Sequence, residues 1–402
     1  MIPRRVAIAF DCLFPYTTGG GERQYRGFAE ELANRGITVD YMTSRQWDGS
    51  IPTAQNFRVV VASGPLRLYS ADGVRRTSAA LVFAWGLFRT LRRRRRDYEA
   101  VIVSALPVLN VFAARAALWG SGTTLIADYL EVWRRPQWLE YAGRLTGNVA
   151  WLLQRCAIAL TPVATCHSAL SAERLRAEGL RGRLLVSPGL IDTGSAGAYA
   201  GPPSAAAEPP FVLYAGRHIA DKRVEALPPA VAHARTSHPE LRLVVLGDGA
   251  STTAIRAAVR AAHGEEWTDF LGFVPEERLG ELMAGAACLV NPSRREGYGL
   301  VVVESASHGT PVVLVADDGN AATELIEPGR NGYVAPSIEP TPLGDAIARA
   351  VSDGTDLRQT TRDWYQEAIA TRTIARTIDA ILECVHEIRE RRGRARRTQR
   401  AE

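Results

Sequence analysis

The stretch "LVNPSRREGYGLVVVESASHGTPVVL", Leu289 to Leu314, decides the fold. Its apolar flanks, Cys288–Asn291 and Val312–Val315, are short and rich in β-branched residues, as buried parallel strands are. Between them Leu300 to His308 has helical spacing until Gly309 and Pro311 stop it, and Gly297 and Gly299 loosen the preceding loop. Strand, helix and strand in this order form a βαβ unit, which implies a parallel sheet covered by helices. Glu296 falls in the loop before the helix and Glu304 one to two turns inside it. The amides of Gly299, Leu300 and Val301 fall at the helix N-terminus, where they can receive a phosphate. Glycosidase carboxylates flank one bond from opposite sides, roughly 5–9 Å apart. A loop carboxylate and a helix carboxylate with phosphate-receiving amides between them address different parts of one elongated ligand instead.

The same alternation runs through the whole chain. Strands are expected at Val6–Phe10, Val39–Met42, Val59–Ala62, Ala100–Ser104, Thr124–Ala127, Ala157–Thr161 and Leu184–Val186, then at Phe211–Tyr214, Leu241–Leu246, Asp269–Leu271, Cys288–Asn291, Val312–Val315 and Tyr333–Val334. Between these sets lies "TGSAGAYAGPPSAAAEPP", Thr193–Pro210, with the composition of an exposed linker. The chain therefore reads as α/β, with two Rossmann-like doubly wound domains, 1–192 and 211–370, and a cleft between them. Beyond Val351 a polar helical pattern runs through Trp364, Tyr365, Ile374, Ile378, Ile381, Leu382 and Val385. Its last part, 371–402, is expected to cross back to the first domain and to fray from Arg389 onward.

Composition sets the bounds. At 402 residues with 46% hydrophobic and 23% charged residues, the chain suits two globular domains. It shows no apolar run long enough to span a membrane and no secretory signal, so a cytoplasmic location is expected. Five scattered cysteines without a C-x-x-C pair fit neither a disulfide frame nor a zinc site. Of 48 Lys plus Arg only Lys222 is lysine, leaving 48 − 1 = 47 arginines. Against such a bias toward arginine, one retained lysine points to a position that needs a compact ammonium. Arg92–Arg96 and the tail from Arg389 lack the interleaved aromatics of a nucleic-acid site. The first cluster either ends an amphipathic helix, with its cations at the negative end of the dipole, or touches an acidic membrane surface.

Ligands of such sheets sit beyond the carboxyl ends of the strands. After the first strand comes Gly19-Gly20-Gly21 ahead of a helix that starts near Glu22, either an anion site or a tight turn; it is not the G-x-G-x-x-G dinucleotide fingerprint. After Phe211–Tyr214 comes "AGRHIADKR", with Arg217 and Lys222 as two cations suited to a diphosphate. After Leu241–Leu246 comes Gly247-Asp248-Gly249, a turn that allows close backbone approach.

At these residues the sequence resembles the family 4 glycosyltransferases, retaining nucleotide-sugar enzymes of the two-domain GT-B fold. The resemblance covers nearly the whole chain: Gly19 to Glu22, Gly216-Arg217 with Lys222 five residues on, "LGDG" at Leu246–Gly249, "NPS..EGYGLVVVES..HGTPVV" from Asn291, and "NGYVAP" from Asn331. It implies that Glu296 binds the donor-sugar hydroxyls at the reacting face and that Glu304 holds the ribose. Arg217 and Lys222 then neutralise the departing diphosphate, and the loop Gly297, Tyr298, Gly299 and Leu300, with Val301, supports sugar and phosphate. Gly247, Asp248, Gly249, Gly20 and Gly21 complete the expected donor set. No D-x-D triplet is present, which fits an enzyme that needs neither metal nor cofactor. Two positions depart from the family. Its His-Asp pair aligns with Leu130-Glu131, so the histidine is lost and Asp128 or Glu131 is left to take its place. The glycine after its lysine is Arg223.

The acceptor is expected on the first domain, where aromatic faces at Tyr129, Trp133, Trp138, Tyr141 and Trp151 suit sugar rings or amphipathic molecules. Asp128, Glu131 and Trp133 are the candidate contacts there. The expected activity is retaining transfer from a nucleoside diphosphate sugar to a hydroxyl of a small-molecule, saccharide or lipid-linked acceptor. The alternative is a degenerate member that binds nucleotide sugar without transferring it.

Overall fold

The computed structural model describes residues 3–52, 56–68, 75–192 and 206–401, with side chains through residue 394. The expected linker lies mostly outside the described residues. The described residues up to Asp192, together with those from Arg372 onward, form one compact unit, and those through Thr371 form a second.

The first unit runs β1 (Arg5–Ala9), α1 (Gly20–Asn34), β2 (Thr38–Ser44), β3 (Arg58–Ser63), α2 (Thr77–Arg94), β4 (Ala100–Ser104), α3 (Leu109–Ala117), β5 (Thr124–Tyr129), α4 (Arg135–Ala142), α5 (Arg144–Leu160), β6 (Val163–Cys166), α6 (Ala169–Ala177) and β7 (Arg183–Val186). Its seven strands pair in parallel in the order β3-β2-β1-β4-β5-β6-β7. Phe83, Leu87 and Leu91 of α2, Val111 and Ala114 of α3, and Ala157 and Ile158 of α5 pack on Val101, Val103, Leu125 and Ala127 of the sheet.

The expected strand at Ala157–Thr161 is instead the last turn of α5, and the strand lies two residues later at β6. Gln154, Ala157 and Ile158 are buried at helical spacing, while Leu153, Cys156 and Leu160 on the same segment face outward. Pro162 then forces Thr161 into an extended conformation and ends the helix.

The second unit runs β8 (Phe211–Ala215), a 3₁₀ turn at Ala220–Lys222, α7 (Leu227–Ala234), β9 (Arg242–Leu246), α8 (Thr252–Ala261), β10 (Thr268–Gly272), α9 (Glu276–Gly285), β11 (Cys288–Asn291), β12 (Arg295–Glu296), α10 (Leu300–Ser307), β13 (Val312–Val315), β14 (Gly319–Asn320), β15 (Gly332–Ala335) and α11 (Pro340–Thr371). Gly354 breaks α11 with a backbone outside the helical region. The parallel sheet has the order β10-β9-β8-β11-β13-β15, and β12 pairs with β14 apart from it.

The last helix, α12 (Ile374–Ala401), belongs to the first unit. It buries Ile374, Ile378, Ile381 and Val385 and packs on α1, where Gly27 makes room for Ile374. Arg35 ties the two helices through Asp379 and the Ala375 carbonyl. The backbone stays helical past Arg389, where fraying is expected from the sequence. Among the described residues no helix is long and apolar enough to cross a membrane.

Candidate functional site

In the second unit the chain runs from β8 outward to β9 and β10, then returns to β11 on the other side of β8. That reversal opens a crevice between the loops after β8 and β11, where ligands of open α/β sheets sit. Lys222, from the first of these loops, reaches across it, and its Nζ donates to Glu296 Oε1 from the connection after β11, where Glu296 ends the short strand β12 rather than lying in an unpaired loop.

Glu296 is only 16% exposed and Lys222 21%. Asn291, the last residue of β11, donates its side-chain amide to the same Oε1 at 2.9 Å, and Asn291 Oδ1 in turn accepts from Ser293 at 2.5 Å. Burial pushes the Glu296 carboxyl up, but the Lys222 ammonium and the hydrogen bonds from Asn291 and Ser293 outweigh it. The carboxyl is held below the ordinary carboxylate range. The loop is pinned on both sides. Arg295 donates to Asp221, and the Arg294 amide to the Asp221 carbonyl at 2.8 Å. Asn320 Nδ2 donates to the carbonyls of Ser293 (3.2 Å) and Val315 (2.9 Å). The sequence reading assigned no role to Asn291, Ser293, Asp221 or Asn320. The "NPS" that opens the quoted motif was the available signal for the first two.

Arg223, standing where the resembling family has glycine, adopts φ +47°, a left-handed backbone that glycine occupies freely. The arginine accepts that strain, about 1–2 kcal/mol. Its guanidinium returns hydrogen bonds to the Pro292 carbonyl (2.9 Å) and Asp317 (3.1 Å), tying the β8 loop to the β11 loop a second time.

Gly299 caps α10 with φ +98°, and a side chain there would strike Ala322. The first turn of α10 carries no acidic residue of its own, and its amides form the positive end of the helix. Gly297 and Tyr298 precede it; Tyr298 is buried, and Leu300, Val301 and Glu304 are half-buried. The Gly247-Asp248-Gly249 turn packs on the β8 loop. A side chain at Gly247 would overlap the Gly216 carbonyl, and one at Gly249 the His218 carbonyl. Buried His218 joins the two loops, with Nδ1 2.8 Å from Thr252 Oγ1, and burial keeps its imidazole below the ordinary range. Asp248 accepts from Thr252 and from the Gly249 amide, and these bonds lower its carboxyl. Arg217 is exposed at the same edge.

The remaining expected site residues lie in the first unit. Gly20 and Gly21 open α1 as expected, but Glu22 folds its carboxylate back over Gly19, so a negative charge already occupies that helix start. Gly21 faces Leu130. Asp128 does not hold as an acceptor contact. It is fully buried, accepting from Gln24 (2.9 Å) and Tyr25 (2.7 Å) of α1 and from Thr165 (2.5 Å), with His167 Nε2 at 2.9 Å. Burial pushes its carboxyl up, and His167 with the hydroxyl donors more than reverses this, holding it below the usual range. Glu131 accepts from the Trp133 indole at 2.7 Å, and that ring meets Trp138 and Tyr141 at centroid distances of 4.9 and 5.0 Å. Glu131, Trp133 and Tyr141 are half-buried. Tyr129 and Trp151 act within the fold: Tyr129 is buried against Thr161, and Trp151 donates to Glu178 between Arg135 and Arg155.

Comparison with known proteins adds to this geometry. Residues 201–370 match the family model "Glycosyl transferases group 1". Alpha-D-kanosaminyltransferase from Streptomyces kanamyceticus is 31% identical over 144 residues, 36% of this chain and 37% of that relative, so the match spans little more than a third of the relative's length. Sucrose-phosphate synthase from Thermosynechococcus elongatus superposes with a TM-score of 0.74 at 18% identity, covering 98% of this chain and all of that one. Anabaena HepE, solved with UDP and glucose, gives 0.66 at 15% identity over 96% of this chain and all of its own. The chain thus has the GT-B fold of glycosyltransferases, and its second unit carries the segment that matches the group 1 glycosyl transferase model.

Proposed function

We propose that this protein is a retaining glycosyltransferase that moves a sugar from a nucleoside diphosphate sugar to an acceptor hydroxyl. The observation that carries the reading is the Lys222–Glu296 pair, placed across the switch point of the sheet within the matched segment. An ammonium has three N–H donors, so Lys222 can hold Glu296 and still meet phosphate oxygens, with Arg217 at the same sheet edge. The acid-free start of α10 adds its amides for the phosphates, and Glu304, further along that helix, is assigned to the ribose.

In the transfer, the bond from the anomeric carbon to the diphosphate oxygen breaks and a bond to the acceptor oxygen forms on the same face. The acceptor proton passes to an oxygen of the departing phosphate. Glu296 positions the sugar, and the cations stabilise the charge that develops on the leaving group. Acceptor contacts are assigned to Glu131 and Trp133 of the first unit. UDP bound to HepE supports a uridine donor as the first to try.

Incubation with a panel of nucleotide sugars, following nucleoside diphosphate release, tests the reading. Release that depends on added acceptor, with retained anomeric configuration, supports it. The presence of Leu130 where the resembling family has histidine favours one second reading, a protein that binds the donor without turning it over. Tight donor binding without release under any acceptor would establish that reading in place of the first.

A further inference from the structure

Helices α2, α3 and α5 lie in one layer on the first unit, with α3 packed against both neighbours. None of the three contains an aspartate or glutamate, although the chain has 43, and together they carry Arg89, Arg92, Arg93, Arg94, Arg115, Arg144 and Arg155. Their inward faces are core, yet their outward faces are also apolar. On α2, Leu81, Val82 and Trp85 stand out, with Trp85 62% exposed, and the same stripe continues as exposed Arg89, Arg92 and Arg93. On α5, Leu145, Val149, Leu152 and Leu160 recur at intervals of four, three and eight, with Leu145 82% exposed. Trp119, 72% exposed, lies beside the basic end of α2, where Arg95 donates to its carbonyl. The nearby acids lie off these three helices: Asp97 and Glu140, with Asp40 3.6 Å from Arg94 and Glu178 3.8 Å from Arg155.

Scattered surface leucines need no explanation, but stripes repeated on two helices of one layer do. The partner must accept leucine, valine and tryptophan side chains and a dense set of guanidinium groups without offering cations of its own. A leaflet containing anionic phospholipid meets both demands. Acyl chains take the apolar stripes, the headgroup zone takes Trp85 and Trp119, and phosphates pair with the arginines. We propose that the α2–α3–α5 face seats the first unit on the surface of an anionic membrane, without crossing it. A second copy of the chain fits less well, because it would bring the same arginines against these. The proposal stands apart from the assigned chemistry, since binding to lipid needs no donor.

Flotation of the full chain with vesicles of equal parts phosphatidylglycerol and phosphatidylcholine, and with phosphatidylcholine alone, tests it. The protein is expected to float with the anionic vesicles at low salt and to be released at high salt. Arg89→Gln, Arg92→Gln and Arg93→Gln combined should weaken partitioning by about 100-fold, at about fivefold per cation. Trp85→Ser with Leu152→Ser should weaken it while keeping the salt dependence. All five residues are exposed, so the thermal midpoint and nucleotide-sugar turnover in solution should not move. Failure to float with anionic vesicles at low salt overturns the proposal and leaves the assigned transfer untouched. So does a stable dimer by light scattering that Trp85→Ser dissociates while vesicles go unbound.

Discussion

Two carboxylates at the ends of parallel strands have opposite surroundings. Asp128, the last residue but one of β5, is fully buried and holds Gln24, Tyr25, Thr165 and His167, joining α1 to β5 and β6. Glu296, the last residue of the two-residue strand β12, is part-exposed, and its ammonium partner is part-exposed too. Both carboxyls lie below the ordinary range, so the shift itself does not separate a group sealed inside the fold from one that a ligand can reach. Access does. The helix starts differ in the same sense: Glu22 closes the positive end of α1, and the first turn of α10 carries no acid.

The largest expected effect breaks the comparison by turnover. Glu296→Gln should cut kcat by about 100-fold or more with little change in KM for the donor, because it removes a contact that matters most at the reacting face. Lys222→Arg should cost a similar factor with the fold intact, since a planar fork cannot stand in for a compact ammonium wedged against Glu296. Turnover within about twofold of wild type, well under 1.4 kcal/mol, would make the single lysine an accident of coding.

Asp128→Ala should act through stability instead. Removing a buried carboxylate that holds several donors typically costs about 3–5 kcal/mol, measured here by denaturant unfolding. A variant of normal stability that cannot turn over substrate would move Asp128 back into the site.

Acid should separate the units next. In the second unit burial holds the imidazoles of His218 and His308 below their ordinary range, so the unfolded chain takes up protons first as the pH falls. Their contribution is complete above about pH 6.5 and is lost as the pH drops through the folded-state values. Asp128 in the first unit keeps its contribution until below about pH 4, the ordinary carboxylate range. Amide exchange corrected for intrinsic rates should therefore show the second unit loosening first between pH 6.5 and 5. Glu304→Gln is the smallest of the activity effects, raising donor KM several-fold with kcat nearly unchanged.

Much of this was legible in the sequence because parallel strands buried on both faces read as short apolar runs, and Cys288–Asn291 and Val312–Val315 match their observed bounds. The shift at Ala157–Thr161 arose because the end of a helix over a core is as apolar as a strand, and only the burial at helical spacing tells them apart. One lysine among 48 basic residues was conspicuous in the sequence, and it is the partner of Glu296 in the structure. The supports of that pair were not. Asn291, Ser293, Asp221 and Asn320 are ordinary polar residues whose part depends on pairings that join β8, β11 and β14. Asp128 was misplaced for a related reason, since adjacency to a motif in sequence says nothing about which side of a strand end faces solvent. Arg223 shows the reverse case, where a departure from glycine is explained by a left-handed residue secured through its own side chain.

The most direct test is electron density for a nucleotide sugar bound to the crystalline protein. The expected result places the diphosphate against Lys222, Arg217 and the first amides of α10, the ribose hydroxyls on Glu304 and the sugar hydroxyls on Glu296. Density with the phosphates away from Lys222, or with the sugar on Glu304 and the ribose on Glu296, would contradict the assignment of roles.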